Sequence, residues 1–300
     1  MNISFFVRIA FAALFTLMTA RGVESRRVVV SQDGSSPYSS IQAAIDSVTD
    51  ASRENPVEIV VKPGRYFEMF TTKDWVDVIG TDREACIVTY DRKPEEPQHK
   101  THVAWATSNS TLRNLTLIGR DVKYCIHSDG GRDYLLIIDN CVLRREVPDG
   151  TKGLQAAFGV GLRGGQHIAL RNSRLEANVA IYFHNWDRQK SSCSFTVEKS
   201  HLGGADESII VHALGSGQRD FLVLHDNVMQ GAKTAVRYLN MERKEPRLRK
   251  GADEIEIFAS GNAIQGAVFG ARMSDDATQR RSGLERVGGS AALASSVRPG

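Results

Sequence analysis

Short runs of alternating aliphatic and polar residues, broken by Gly, Asn and Asp, fill most of this chain. Runs so short, with a period of two, predict half-buried β-strands rather than helices. The pattern is clearest in Tyr124-Cys-Ile-His127, Phe158-Gly-Val-Gly-Leu-Arg163, Ile181-Tyr-Phe-His184, Ile209-Ile-Val-His212 and Ala235-Val-Arg237. Alternation there turns Ile126, Leu162, Phe183, Val211 and Val236 inward. Their successors His127, Arg163, His184, His212 and Arg237 then point outward as one row.

Between the strands an asparagine recurs before an aliphatic residue. It is Asn114 in Arg-Asn-Leu-Thr-Leu, Asn140 in Asp-Asn-Cys-Val-Leu, Asn172 in Arg-Asn-Ser-Arg-Leu, Asn227 in Asp-Asn-Val-Met and Asn262 in Gly-Asn-Ala-Ile. Ser200 fills the same slot in Lys-Ser-His-Leu. A spacing of roughly 30 residues with variable insertions marks a solenoid, in which each turn contacts only its neighbours. Asn tolerates left-handed backbone and can hydrogen-bond to the Asn of the next rung, which satisfies turn amides. The expected fold is all-β, a right-handed single-stranded parallel β-helix (solenoid) over residues 26–271, with strands stacked ~4.8 Å apart.

One segment has helical periodicity. In Tyr38–Val48 the residues Ile41, Ala44, Ile45 and Val48 share a face behind Ser39 or Ser40 as cap. It precedes the first coil, where a solenoid needs its open apolar end covered. The charged stretch Asn240–Glu254 reads as a solvated loop, and residues 272–300 lose periodicity and read as a disordered tail.

Composition changes this picture in a few ways. With 300 residues and 41% hydrophobic content the chain can bury a large core, and the repetition argues for a single elongated domain. Arg8 followed by the apolar run Ile9–Met18, with Val23-Glu-Ser25 behind it, reads as a secretory signal over residues 1–25. The run is shorter than the ~20 residues a membrane span needs. The expectation is a secreted or periplasmic protein with no membrane contact once the signal is removed. A formal net charge of +3 gives no support for a nucleic-acid partner. Cys86, Cys125, Cys141 and Cys193 have no metal-ligand spacing; buried free thiols and bridges both stay open.

The outward row carries the candidate chemistry. His moves protons near neutral pH, and Arg can neutralise a sugar carboxylate with paired hydrogen bonds. Lyase or epimerase reactions on uronates need both functions. His184, His212 and His127 are the candidate catalytic residues; Arg163, Arg237, Trp186, Asp187, Tyr182 and Asp129 are the candidate binding residues, with Trp186 or Tyr182 offering a ring to a pyranose. The plain alternative is a polar outer face, stacked because equivalent positions must stack. A metal held by His127, His184 and His212 is not expected, because the Arg163 strand separates the His127 rung from the other two. No cofactor is expected. Asp206 and Glu207 form a carboxylate pair, but neighbours in a strand face opposite sides.

Four segments of the first half resemble pectin methylesterases, of the pectin-lyase-like superfamily. Val28–Asp46 is similar to that family's opening strand, Gly-rich turn and "IQ-A-I" cap helix. Ile59-Val-Val-Lys-Pro-Gly-Arg-Tyr-Phe-Glu68 is similar to "I-I-K-x-G-x-Y-x-E". Val76-Asp-Val-Ile-Gly80 and Ser110-Thr-Leu-Arg-Asn-Leu-Thr-Leu117 resemble "V-x-L-I-G" and "A-x-N-L-T-I". The resemblance spans roughly residues 28–120 and implies a β-helix with a carbohydrate-active, pectinesterase-like function. The family's catalytic Gln and Asp motifs are not matched: Lys123-Tyr-Cys-Ile-His-Ser128 stands where the first is expected, and Gln155-Ala-Ala and Gly204-Ala-Asp206 echo the motifs at other spacings. Three functions stay open: an esterase on an acidic polysaccharide, a lyase or epimerase built on the His/Arg row, and a glycan-binding β-helix without catalysis.

Overall fold

The computed structural model describes residues 25–146, 156–186, 191–213, 218–231, 233–240, 255–267 and 269–273. The expected signal up to residue 24, the charged stretch from 241 to 254, the tail beyond 273, and Gln155 and Asp187 lie outside the described residues. All strand pairings within the two sheets are parallel, and each strand pairs with its equivalent one coil earlier and later. This is a single-stranded parallel β-helix.

Each coil visits three strand stacks in turn. The first stack is the nine-stranded sheet from Arg26–Val30 to Ile255–Ser260. The second and third stacks form a 14-stranded sheet, because the long strands Arg174–Asn185 and His201–Ala213 run through the corner between them. The inward faces meet in one core of Val, Ile, Leu and Phe with the four buried cysteines among them. Ile126, Leu162, Phe183, Val211 and Val236 all lie in that core, as alternation predicts. The strand Phe269–Met273 pairs with Thr234–Asn240, so regular structure runs past the expected domain end at 271.

The helix Ile41–Ser47 buries Ile41, Ala44 and Ile45 over the open end. Ser40 caps it by accepting from the Ala43 N–H, and Glu68 reaches from the next coil to accept from Ser40 Oγ (2.7 Å), Ile41 N (2.8 Å) and Gln42 N (3.0 Å). Gln42 in turn accepts from the Thr71 N–H (2.7 Å). The Gln of the opening motif and the Glu ending the second motif therefore stitch the cap onto the first coil.

The asparagine series divides into two adjacent ladders at one corner, which corrects the single line expected. Asn114, Asn140 and Asn172 have φ of 54°, 52° and 50°, and Lys199, Asp226 and Gly261 continue that left-handed column. The next residue in each coil points inward and is buried: Ser173, Ser200, Asn227 and Asn262. There the Cys141 N–H donates to Ser173 Oγ, Ser173 N to Ser200 Oγ, Ser200 N to Asn227 Oδ1 and Asn227 N to Asn262 Oδ1, at 2.9–3.1 Å. The first ladder answers a backbone requirement and the second satisfies buried amides. Among the described residues, no helix is long and apolar enough to cross a membrane.

Candidate active site

The outer face of the third stack is set by the register of its strands. His127 aligns with Trp105 on one side and Gly159 on the other, and Gly159 aligns with Tyr182, Tyr182 with Ile210 and Ile210 with Arg237. A second outward column runs Asp129, Gly161, His184, His212. The row read from the sequence is therefore drawn from different columns. His184 and His212 are neighbours as expected; His127 and Arg237 stand one column over, and Arg163 lies past the end of its strand. A further irregularity contributes. Cys125-Ile126, Ala157-Phe158, Ala180-Ile181 and Ala235-Val236 each put two consecutive residues into the core. Alternation breaks at the same place in each of these rungs, as in a bulge propagated along the stack.

The side chains nonetheless converge, and they do so on Asp129. Its Oδ1 accepts from Trp186 Nε1 (3.0 Å) and faces Arg163 Nε (3.3 Å). Its Oδ2 lies 3.8 Å from His127 Nε2 and 3.7 Å from His184 Nε2. The Arg163 guanidinium rests over the Trp186 ring at 4.2 Å, and its side chain keeps 40% of its exposure. The turn that carries Arg163 is fixed by Gln166, whose Oε1 accepts from Arg163 N (2.9 Å) and Gly164 N (2.7 Å).

Asp129 and His184 sit two rungs apart, a backbone separation of about 10 Å. They meet because the rung between them has no side chain at that position. A Cβ on Gly161 would lie 2.7 Å from Asp129 Cγ and 2.8 Å from His184 Nε2. A Cβ on Gly159 would lie 2.5 Å from the Tyr124 ring. The Arg163 strand does lie between the strands of His127 and His184, yet both imidazoles reach Asp129. The row is not held in solvent: the His127 side chain is 7% exposed and that of His184 12%. Rings close over them, with Trp105 4.5 Å and Tyr124 4.7 Å from His127, and Trp186 5.4 Å from His184.

Burial would raise the Asp129 carboxyl, but the facing imidazoles of His127 and His184 and the Trp186 N–H outweigh it and hold it at about 2. Burial pushes the His184 imidazole down to about 4; Asp129 opposes this, while His212, His127 and Lys123 reinforce it. At neutral pH the pair is a carboxylate beside an uncharged imidazole. His184 Nδ1 and His127 Nδ1 are buried without a hydrogen-bond partner.

Beside this cluster the Tyr182 hydroxyl is hydrogen-bonded to His212 Nδ1. Its ring stacks on Tyr124 at 6.5 Å and lies 5.5 Å from His184. Burial raises the Tyr182 phenol to about 12, so it keeps its proton at neutral pH. Arg237 stands apart from Asp129 and instead faces the nearly buried Glu207 (3.3 Å), while Asp206 pairs with Lys233 (2.6 Å). The adjacent carboxylates thus have separate partners, as their alternation implies. Sequence reading missed Trp105, Tyr124 and above all Gly159 and Gly161. The signal for the glycines was present: in Phe158-Gly-Val-Gly-Leu162 the outward positions are both empty while the inward ones are bulky.

No protein-family model and no curated protein matches the sequence. Among solved structures, a pectin methylesterase from carrot matches at 13% identity and a TM-score of 0.43, covering 88% of this chain and 92% of that one. Pectin methylesterase PemA from Erwinia chrysanthemi matches at 12% identity and 0.41, covering 83% and 66%. The A-module of the Azotobacter vinelandii mannuronan C-5 epimerase AlgE4 matches at 14% identity and 0.34, covering 79% and 87%. Likeness at this level says nothing about chemistry; the strand pairing of this chain itself defines the fold, and its own side chains define the site.

Proposed function

We propose that this protein binds an acidic, uronate-containing polysaccharide along the outer face of the third stack. There it removes the proton on the carbon next to a uronate carboxylate, as a lyase or an epimerase does. The observation that carries this reading is the convergence over Gly161 of an ionised Asp129, an uncharged His184 and the half-exposed Arg163. A polar outer face that served only stacking has no need of empty positions through which groups from separate rungs meet.

The geometry supports the following roles. Arg163, pre-oriented by Trp186 and Asp129, neutralises the substrate carboxylate, which makes the adjacent C–H acidic enough to lose its proton. His184 is the base, and Asp129 stabilises the imidazolium formed when it accepts that proton. Trp105 and Trp186 offer ring faces to sugars on either side. Incubation with a panel of acidic polysaccharides tests the reading. Unsaturated ends or deuterium taken up from solvent at the carbon bearing the carboxylate support it. A panel on which neither occurs rejects it.

One observation favours a second reading. An ionised carboxylate gripped by an arginine and an indole N–H is also a competent nucleophile toward a methyl-esterified uronate. In that case Asp129 attacks the ester carbonyl, the methoxide takes a proton from solvent and leaves as methanol, and water then hydrolyses the acyl-Asp129 anhydride. Release of methanol without unsaturated ends or deuterium uptake selects this pectinesterase-like reading. Binding with no product of any kind selects the non-catalytic module.

A further inference from the structure

Resting on the proton-abstraction reading, we infer that the reaction is a syn β-elimination, so that the substrate is a 1,4-linked uronan of the manno or gluco configuration. The groups that carry protons are all placed on one side. Tyr182 and His184 alternate on one strand, so both rise from the same face of the sheet, with ring centroids 5.5 Å apart. His212 follows His184 in the same outward column and holds the Tyr182 hydroxyl. Among the described residues His127, His184, His212, Tyr124 and Tyr182 all stand on this one face. A sugar ring laid against it meets its base and its acid from the same side.

The C5–H bond breaks and its proton goes to His184, beside Asp129. The electron pair forms the C4–C5 double bond, the C4–O bond of the glycosidic linkage breaks, and the leaving oxygen takes the phenolic proton of Tyr182. His212, donating from Nδ1, stabilises the phenolate until Tyr182 regains a proton from solvent and His184 releases the one it took. Tyr182 serves as the acid because its phenol is protonated at neutral pH, and His184 as the base because it is not.

Removal of H5 and departure of O4 from one side requires both to lie on the same face of the ring. That holds for mannuronate and glucuronate. In galacturonate, guluronate and iduronate they lie on opposite faces. Epimerisation likewise needs a proton delivered to the opposite face. The expected substrate therefore differs from the galacturonan of pectin.

The test incubates the full protein separately with polymannuronate, glucuronan, polyguluronate and polygalacturonate and follows unsaturated ends and solvent deuterium. Unsaturated ends should appear on polymannuronate or glucuronan at least ~10²-fold faster than on the other two. Tyr182→Phe should lower kcat for that elimination by ~10²–10⁴-fold, the usual loss for an acid/base group, with KM and melting temperature nearly unchanged. Unsaturated ends mainly from polygalacturonate or polyguluronate overturn the inference but leave proton abstraction standing. Deuterium uptake with inversion at C5 and no chain cleavage does the same, as does full elimination by the Tyr182→Phe variant. Neither unsaturation nor deuterium uptake on any uronan removes both.

Discussion

A single missing methyl group decides whether the site forms. Gly161→Ala puts a Cβ within 2.8 Å of both Asp129 and His184, and neither partner can withdraw without losing Trp186, Arg163 or the facing imidazoles. Overpacking of this kind costs about 1–3 kcal/mol. We expect a lower melting temperature and a turnover reduced by more than tenfold, checked by calorimetry and product assay on one preparation. The protonation of His184 gives a second prediction. Its folded pKa of about 4 lies below the ordinary 6.5, so the unfolded chain binds this proton first as pH falls. The stability it contributes is complete above pH 6.5 and is lost progressively toward pH 4, by about 3 kcal/mol. Denaturant unfolding from pH 7 to pH 4 should show that loss in the wild type and a shallower one in His184→Gln. Because the base is uncharged down to about 4, the acid limb of kcat/KM should fall near pH 4 rather than near 6.5.

The strand corner and the cap are each held by more than apolar burial. At the corner, left-handed backbone and buried amides call for different side chains in adjacent positions. Asn172→Gly should be close to neutral, since glycine adopts φ near 50° without strain. Asn227→Gly should cost about 1–3 kcal/mol, because it strips an acceptor from the buried Ser200 N–H and vacates a core position. Equal melting temperatures for the two variants would show that the ladders are not distinct. At the cap, Ile45→Asp buries an uncompensated charge where Ile45 is 1% exposed, with an expected loss of about 3–5 kcal/mol and aggregation through the opened end. An unchanged melting temperature would mean that the helix does not seal the solenoid.

Taken whole, the solenoid converts sequence spacing into a face, and its register chooses which residues share it. Arg163→Ala should weaken binding of carboxylated polymer at least tenfold while leaving any neutral glycan unaffected, with the wild-type affinity falling as salt rises. Isothermal titration at two ionic strengths checks both statements. The fold itself, with its cap helix, inward aliphatics and asparagine corner, was legible because period-two alternation, capping and turn residues act locally. Alternation also named His127, His184, His212 and Arg163 as outward-facing. It could not align them: a slip of two residues between neighbouring strands leaves every side chain on its own face, so His127 was matched with His184 when its partner in register is Gly159. At the corners, where alternation lapses, a slip of one merged two ladders into one. The sequence alone determined the β-helix and the chemistry of its outer face. Only the tertiary structure decided that Asp129 gathers that chemistry, because the meeting depends on register across rungs and on the room left by two glycines.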